Sequence, residues 1–375
     1  MGVSVANAQL HKQAPISTTQ YQTSPTFSGA LPHPSPSQIG ALAADYTKLR
    51  EAVGAQGLLA AQPRYYLLQA LLVAAVVAPT ITMAIIFSNP LVILGVAVLA
   101  GFASVQAEML GHDIGHRQTI RSARRADIAG MLLGNLLLGI SYSYWITKHN
   151  KHHAFPNHAT KDPDGDYPVL ALTPQQVFDR PRLLLPLVKY QAVLFLFWLP
   201  LQPVFMKVRG ALSLRRGHVR HRLLETAALA AHLALYAALL WQLHSWPLAL
   251  SFALVHHAAM GVYNGLVFAP NHKGMALVDD ASRTGFLHEQ VTTARNIRGN
   301  WAVDYAFGAL NYQVEHHLFP TMPRNKIIQV RPMVQALCRK HEIPYHETSV
   351  AGSYRELVVH LHRTSAPLRQ GRKTG

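Results

Sequence analysis

The chain has 375 residues, of which 50% are hydrophobic and only 14% charged. That balance sets aside two soluble domains, which the length alone would permit, in favour of an integral membrane protein. A formal charge of +16 does not imply nucleic acid, because the basic residues form no stripe interleaved with aromatics and instead flank the apolar runs. The single cysteine, Cys338, excludes an intrachain disulfide framework and any four-cysteine iron–sulfur site. Redox chemistry would need other ligands or a partner.

Residues 1–38 are rich in Ser, Thr, Gln and Pro without the apolar core of a signal peptide, and are expected to be disordered. Ala6 stands where a myristoylation signal needs Ser or Thr. From Ile39, Leu42, Tyr46, Leu49 and Val53 recur at helical spacing and predict a juxtamembrane amphipathic helix. Apolar runs over 66–87 and 91–110 are each long enough to cross a bilayer, which takes about 20 helical residues. The turn between them, Ser88-Asn89-Pro90, carries no basic residue, whereas Arg117, Arg121, Arg124 and Arg125 follow the second run. The charge rule places the turn outside and the sequence GHDIGH, with His112 and His116, on the cytoplasmic side.

The apolar stretch 128–144 is short, contains Gly130, Gly134 and Gly139, and leads into KHNKHH, with His149, His152 and His153. A crossing here would put the two histidine clusters on opposite faces, so an interfacial or re-entrant position is expected. The segment 183–206 carries Lys189 and three prolines and precedes Lys207, Arg209, Arg215, Arg216, Arg220 and Arg222. As a span it would put that basic loop outside, so it too is read as interfacial. Runs 223–243 and 247–268 form a second hairpin turning near Ser245 to Pro247. The expected architecture is an all-α membrane protein: four transmembrane helices in two hairpins, interfacial helices, and cytoplasmic termini. Residues 39–375 form one domain, and its polar region 270–375, with a helix near 326–341, makes a cytoplasmic cap that holds the third cluster.

That cluster is QVEHH, with Gln313, His316 and His317. Residues three or four apart share a helix face, so each cluster can aim its imidazoles at one point. One HxxxH is weak evidence, since a helical histidine is more often structural or exposed. Three clusters at this spacing, brought by topology to one side, are not coincidence. Seven histidines suit two metal ions better than one, and imidazole alone does not choose among Fe, Zn, Cu and Ni. There is no HExxH of a zinc protease and no Glu-x-x-His pair of ferritin-like bundles. His256 and His257 fall within the last span, where a neutral packing role is the plain reading.

HxxxH, HxxHH and QxxHH in this order, with KHNKHH, DPDGD, FAPNHKGM and LNYQVEHHLFP, resemble the membrane fatty acid desaturases, and the finer features look like bacterial acyl desaturases with a Gln-type third box. The resemblance covers roughly residues 40–360. It implies a di-iron centre, two Fe2+ ions that activate O2, ligated by His112, His116, His149, His152, His153, His316 and His317. His272, in Pro270-Asn271-His272-Lys273, corresponds to a further ligand, and Gln313 replaces the commoner histidine, binding iron directly, binding it through water, or only hydrogen-bonding a ligand. Asp113, Asp162, Asp164, Asp166, Glu315, His158 and Asn271 lie close enough to support the ligands, Asp162 above all.

The implied activity is O2-dependent insertion of a C=C bond into an acyl chain carried by CoA or lipid, in a bacterial cell membrane. Two electrons would come from ferredoxin, cytochrome b5 or a flavin reductase, since no HPGG motif of a fused cytochrome b5 occurs. The basic cytoplasmic surface would suit an acidic donor or lipid phosphates. The alternatives are a membrane hydroxylase or ketolase acting on an alkane, sterol or carotenoid, and, in another class, a metal transporter, which would need polar residues along a transmembrane path.

Overall fold

The computed structural model describes residues 34–165, 167–216, 219–280 and 284–370. Most of the segment expected to be disordered, together with Asp166, lies outside the described residues. Helix α1 (Pro36–Ala55) begins three residues before Ile39, because Ser35 and Gln38 form a reciprocal capping box at 3.3 and 2.7 Å. Its apolar face is the expected one, but its partner is not a bilayer. Leu42, Leu49 and Val53 pack with Val314, Leu318, Val330 and Val334 of the C-terminal region, and the Tyr46 hydroxyl donates to Leu318 O at 2.7 Å.

The two hairpins form at the expected positions. Helices α2 (Pro63–Ile86) and α3 (Pro90–Gly115) meet at a turn where Asn89 caps α3 through Leu91 N. Their later counterparts are the helix Arg222–Trp241 and the helix Trp246–His272. The last of these runs one turn beyond the apolar stretch and so carries His272 on its final residue. Leu67, Leu71, Ile85, Leu233 and Leu254 are exposed on these helices, as a lipid-facing surface requires, while Trp241 and Trp246 are exposed at the tip of the second hairpin.

Between the hairpins the chain takes a less regular course. Helix α4 (Ala123–Met131) continues through a π-helical turn, Leu132–Leu138, reverses at Gly139 with φ of 69°, and enters α5 (Tyr142–Ala154). The two arms are bent by 111°, so the apolar stretch doubles back. A buried carboxylate holds this reversal: Glu225, on the Arg222–Trp241 helix, accepts from Asn135 Nδ2 at 3.1 Å, Ser141 Oγ at 2.8 Å and the Ser143 hydroxyl.

The segment expected to lie at the interface up to residue 206 forms helices Gln191–Trp198 and Gln202–Arg216, running well past residue 206 into the basic residues. With it, five helical stretches among the described residues are long and apolar enough to cross a membrane. It lies very close to the Trp246–His272 helix because that helix presents Gly261 and Gly265. A Cβ on Gly261 would come within 2.2 Å of Leu199 O, and one on Gly265 within 2.4 Å of Leu199 Cδ2.

The C-terminal cap departs from an all-α reading in one detail, a two-stranded parallel sheet pairing β1 (Asn296–Arg298) with β2 (Glu347–Ser349). The predicted helix near 326–341 is Ile327–Lys340, and a second amphipathic helix, Val350–Thr364, follows. Removing the carboxylate that holds the re-entrant turn tests its importance. Glu225→Ala, which strands buried donors worth about 1–3 kcal/mol each, should lower the melting temperature of the detergent-solubilised protein clearly more than Glu225→Gln.

Candidate metal centre

Each histidine reaches the site from a helix end. His112 and His116 sit on the last turn and cap of α3, and His149, His152 and His153 on the second half of α5. His272 ends its helix, and His316 and His317 lie on the six-residue helix Gln313–Leu318. The sequence-predicted residues therefore come together from four elements, in two groups. His112, His116, His149, His153 and His316 form one, His152, His272 and His317 the other, with candidate ligand atoms within 4.8 Å of one another in each.

The orientation of the rings is set from behind. His152 Nδ1 lies 3.0 Å from Asp162 Oδ1, His272 Nδ1 donates to Thr293 O at 3.0 Å, and His317 Nδ1 donates to Gln290 Oε1 at 2.7 Å. Asp113 lies 3.3 Å from His112 Nδ1 and is paired with Arg324. With Nδ1 of these four rings engaged, their Nε2 lone pairs point inward. Within the cluster Nε2 atoms approach one another at short range: His116 to His149 at 2.7 Å, His149 to His153 at 3.1 Å, His153 to His316 at 3.2 Å and His152 to His272 at 3.2 Å. His112 Nε2 and His317 Nε2 are buried with no partner in the protein.

Burial, then the neighbouring imidazoles, holds His316 and His317 well below the usual histidine range. Neutral rings with converging lone pairs fit a pair of divalent cations, for which neutral imidazole is a good ligand. Asp162 is desolvated, yet His152 keeps its carboxyl below the usual range. Its other oxygen accepts from Asn157 N at 2.8 Å, so one carboxylate orients the His152 ring and closes the loop beneath it.

Not every residue expected to support the ligands does so. Glu315 points away from the cluster and accepts from Asn296 Nδ2 at 2.6 Å and the Tyr345 hydroxyl at 2.7 Å, and burial pushes its carboxyl up to about 7. His158 contacts none of the clustered imidazoles: its Nδ1 accepts from Thr160 N and Lys161 N, and its Nε2 lies 3.4 Å from Asp280. Asp164 lies 3.4 Å from His152 Nδ1 and pairs with Lys148. Asn271 bonds Gln313 at 3.0 Å, and Gln313 Nε2 sits 2.9 Å from His272 Nε2. His256 is fully engaged between Ser104 at 3.0 Å and the Tyr236 hydroxyl at 2.9 Å, and His257 between Lys207 and Ala253 O, so both tie helices together.

Sequence reasoning missed Gln290, Thr293, Asn157 and Arg324, which act from loops or short helices with no periodic signal. Trp145 was within reach of it: one turn before His149, it stacks on that ring at 4.7 Å and 16°. Beside the imidazoles opens a cavity of about 350 Å³, bordered by His149, His152 and His272 and walled by residues such as Leu172, Phe195, Leu199, Phe268 and Leu361. Polar pairs interrupt the apolar wall, Glu108 accepting from Asn264 Nδ2 at 2.5 Å and Lys148 pairing with Asp164.

The family profile described as fatty acid desaturase matches residues 88–349. A Delta(8)-fatty-acid desaturase of Euglena gracilis is 31% identical over 80% of this chain and 74% of its own length. A Delta(5) fatty acid desaturase of Caenorhabditis elegans is 29% identical over 80% of this chain and 69% of its own. An acyl-lipid (9-3)-desaturase of Physcomitrium patens is 29% identical over 82% of this chain, which spans 60% of the length of that moss protein. The chain belongs to the fatty acid desaturase family, a family of oxidoreductases.

Proposed function

We propose that the protein is an O2-dependent acyl desaturase that introduces a C=C bond into a fatty acyl chain bound as acyl-CoA or acyl-lipid. The observation that supports this most directly is the largely apolar cavity opening on two groups of clustered histidines. The names of the relatives, all acyl desaturases, favour an acyl chain over the alkane, sterol or carotenoid substrates of hydroxylases.

In this reading His112, His116, His149, His153 and His316 hold one iron, and His152, His272 and His317 the other. Bound there, two Fe2+ ions with O2 and two external electrons supply the oxidising power to remove two hydrogens from adjacent methylenes. The chain's own residues do the rest. Asp162, Thr293 and Gln290 keep the Nδ1 protons on His152, His272 and His317, so that Nε2 remains available for metal. Leu172, Phe195 and Phe268 exclude water and hold the chain extended, which places one pair of carbons beside the imidazoles and leaves others out of reach.

The topology we propose keeps four spans, with Gln191–Arg215 lying along the interface and the metal site and both termini cytoplasmic. Its support is the charge rule: Arg117, Arg121, Arg124 and Arg125 follow α3, and Arg220 and Arg222 precede the second hairpin. The exposed arginines Arg121, Arg124 and Arg125 near the site would attract an acidic electron donor such as ferredoxin or cytochrome b5.

Expression in a host that makes no unsaturated fatty acid by this chemistry, with an electron donor supplied, should yield a new monounsaturated or more unsaturated acyl species by mass spectrometry of total lipids. An unchanged lipid profile from membrane-inserted, iron-loaded protein would count against desaturation. His316→Ala should abolish that product and lower iron content per chain while membrane insertion persists, and full activity would remove His316 from the centre. Leu170→Trp, which narrows the cavity at a residue of its wall, should shift the product distribution toward shorter acyl chains at unchanged iron content.

A further inference from the structure

We infer that Gln313 faces His272 as a hydrogen-bond donor, through its amide N–H, and gives no oxygen ligand to the metal. This rests on the proposed metal-binding role of His152, His272 and His317.

A backbone carbonyl decides the matter. Asn271 is fully buried, and its Nδ2 donates to Leu310 O at 3.2 Å and to Gln313 Oε1 at 3.0 Å. An amide nitrogen carries two protons, so both are used here. Turning the Asn271 amide over would set its oxygen against the Leu310 carbonyl, acceptor against acceptor, in a place that water does not reach. The orientation of Asn271 is therefore fixed by the main chain, and Gln313 Oε1 is drawn toward Asn271.

The other end of Gln313 agrees. Its Nε2 lies 2.9 Å from His272 Nε2. His272 donates from Nδ1 to Thr293 O at 3.0 Å, so its Nε2 bears a lone pair and can only accept. The bonds then run in one direction, Asn271 to Gln313 to His272 to Thr293, with Asn271 also anchored on Leu310. Reversing Gln313 alone opposes two amide NH2 groups, and reversing Asn271 with it opposes two carbonyl oxygens. An amide N–H has no lone pair to offer a cation. When His272 Nε2 takes a metal ion its contact with Gln313 is given up, and the N–H that Asn271 still aims into the site can hold a hydrogen-bond acceptor in the position that three histidines leave open.

Gln313→Leu and Gln313→Met, loaded with Fe2+, test this by iron content, Mössbauer spectroscopy and azide titration. Both should retain the wild-type iron stoichiometry and both wild-type iron signals, and bind azide about tenfold more weakly for loss of one donor to an anion. A folded variant that loses an iron, shifts an iron signal before azide is added, or binds azide as tightly as wild type overturns the inference. If neither variant folds, the structure of the iron-loaded wild type decides: an amide atom of Gln313 within bonding distance of iron overturns it, and a gap of hydrogen-bond length supports it. Wild-type protein that takes up no iron brings down the metal-centre reading and this inference with it, an outcome distinct from all the others.

Discussion

Everything at this end of the fold answers to one electrostatic constraint: eight imidazoles from four elements converge in two groups. Lone pairs at 2.7–3.2 Å repel unless a cation lies among them, and protonating the rings would exchange that repulsion for a cluster of buried charges. The surrounding groups are arranged to hold the costly state. Asp162, the Thr293 carbonyl and the Gln290 amide each take the Nδ1 side of a ring, so the tautomer that leaves Nε2 free is already selected. A site prepared in this way is suited to gain its binding energy from a cation rather than from packing, and the residues around it are polar where the rest of the bundle is apolar.

The histidines themselves were readable in the chain because helical spacing is a local property: i, i+3 and i+4 determine which side chains share a face before any tertiary contact exists. His272 was reached through the family resemblance, and its place at the end of a long apolar helix agrees with it. The partition into five and three was not readable. His152 and His153 are neighbours in sequence but project about 100° apart on α5, and they fall into different groups according to what α3 and the Trp246–His272 helix bring up to them. The supports were harder still. Asp162 was anticipated by nearness in sequence, but nearness failed for His158 and Glu315, whose side chains turn to Asp280 and to Asn296 with Tyr345. Gln290 and Thr293 are brought in by a short helix, Phe286–Thr292, that lacks the length to show a period.

The membrane reading shows the same division between local and non-local information. Length and hydropathy located both hairpins to within a few residues, because a span is a composition as much as a structure. A re-entrant course for 128–144 was one of two expected positions, read from the need to keep two clusters on one face; the turning point at Gly139 was not, since what holds the reversal is Glu225, a single buried carboxylate placed some 86 residues later in sequence beside Asn135 and Ser141. Nor did length and hydropathy reveal what the Leu42, Leu49 and Val53 face rests on. An amphipathic helix looks the same in sequence whether its apolar side meets lipid or protein.

The protein surface that α1 meets has a consequence for the metal site. The third cluster lies on no span, so nothing in the bilayer fixes its height relative to α3 and α5. The cap is instead pinned to the bundle by polar contacts around the first cluster: Arg324 pairs with Asp113, and Gln118 donates to Pro320 O at 2.8 Å while accepting from the Tyr66 hydroxyl at the same distance. From the other side α1 closes over Val314 and Leu318, the apolar positions of the very helix that carries His316 and His317. Asp113 therefore has two tasks that pull together, orienting His112 and anchoring the segment that follows His317. Because the pair is buried, removing either partner would leave an unpaired charge between the first and third clusters, which couples the geometry of the metal site to the docking of the cap.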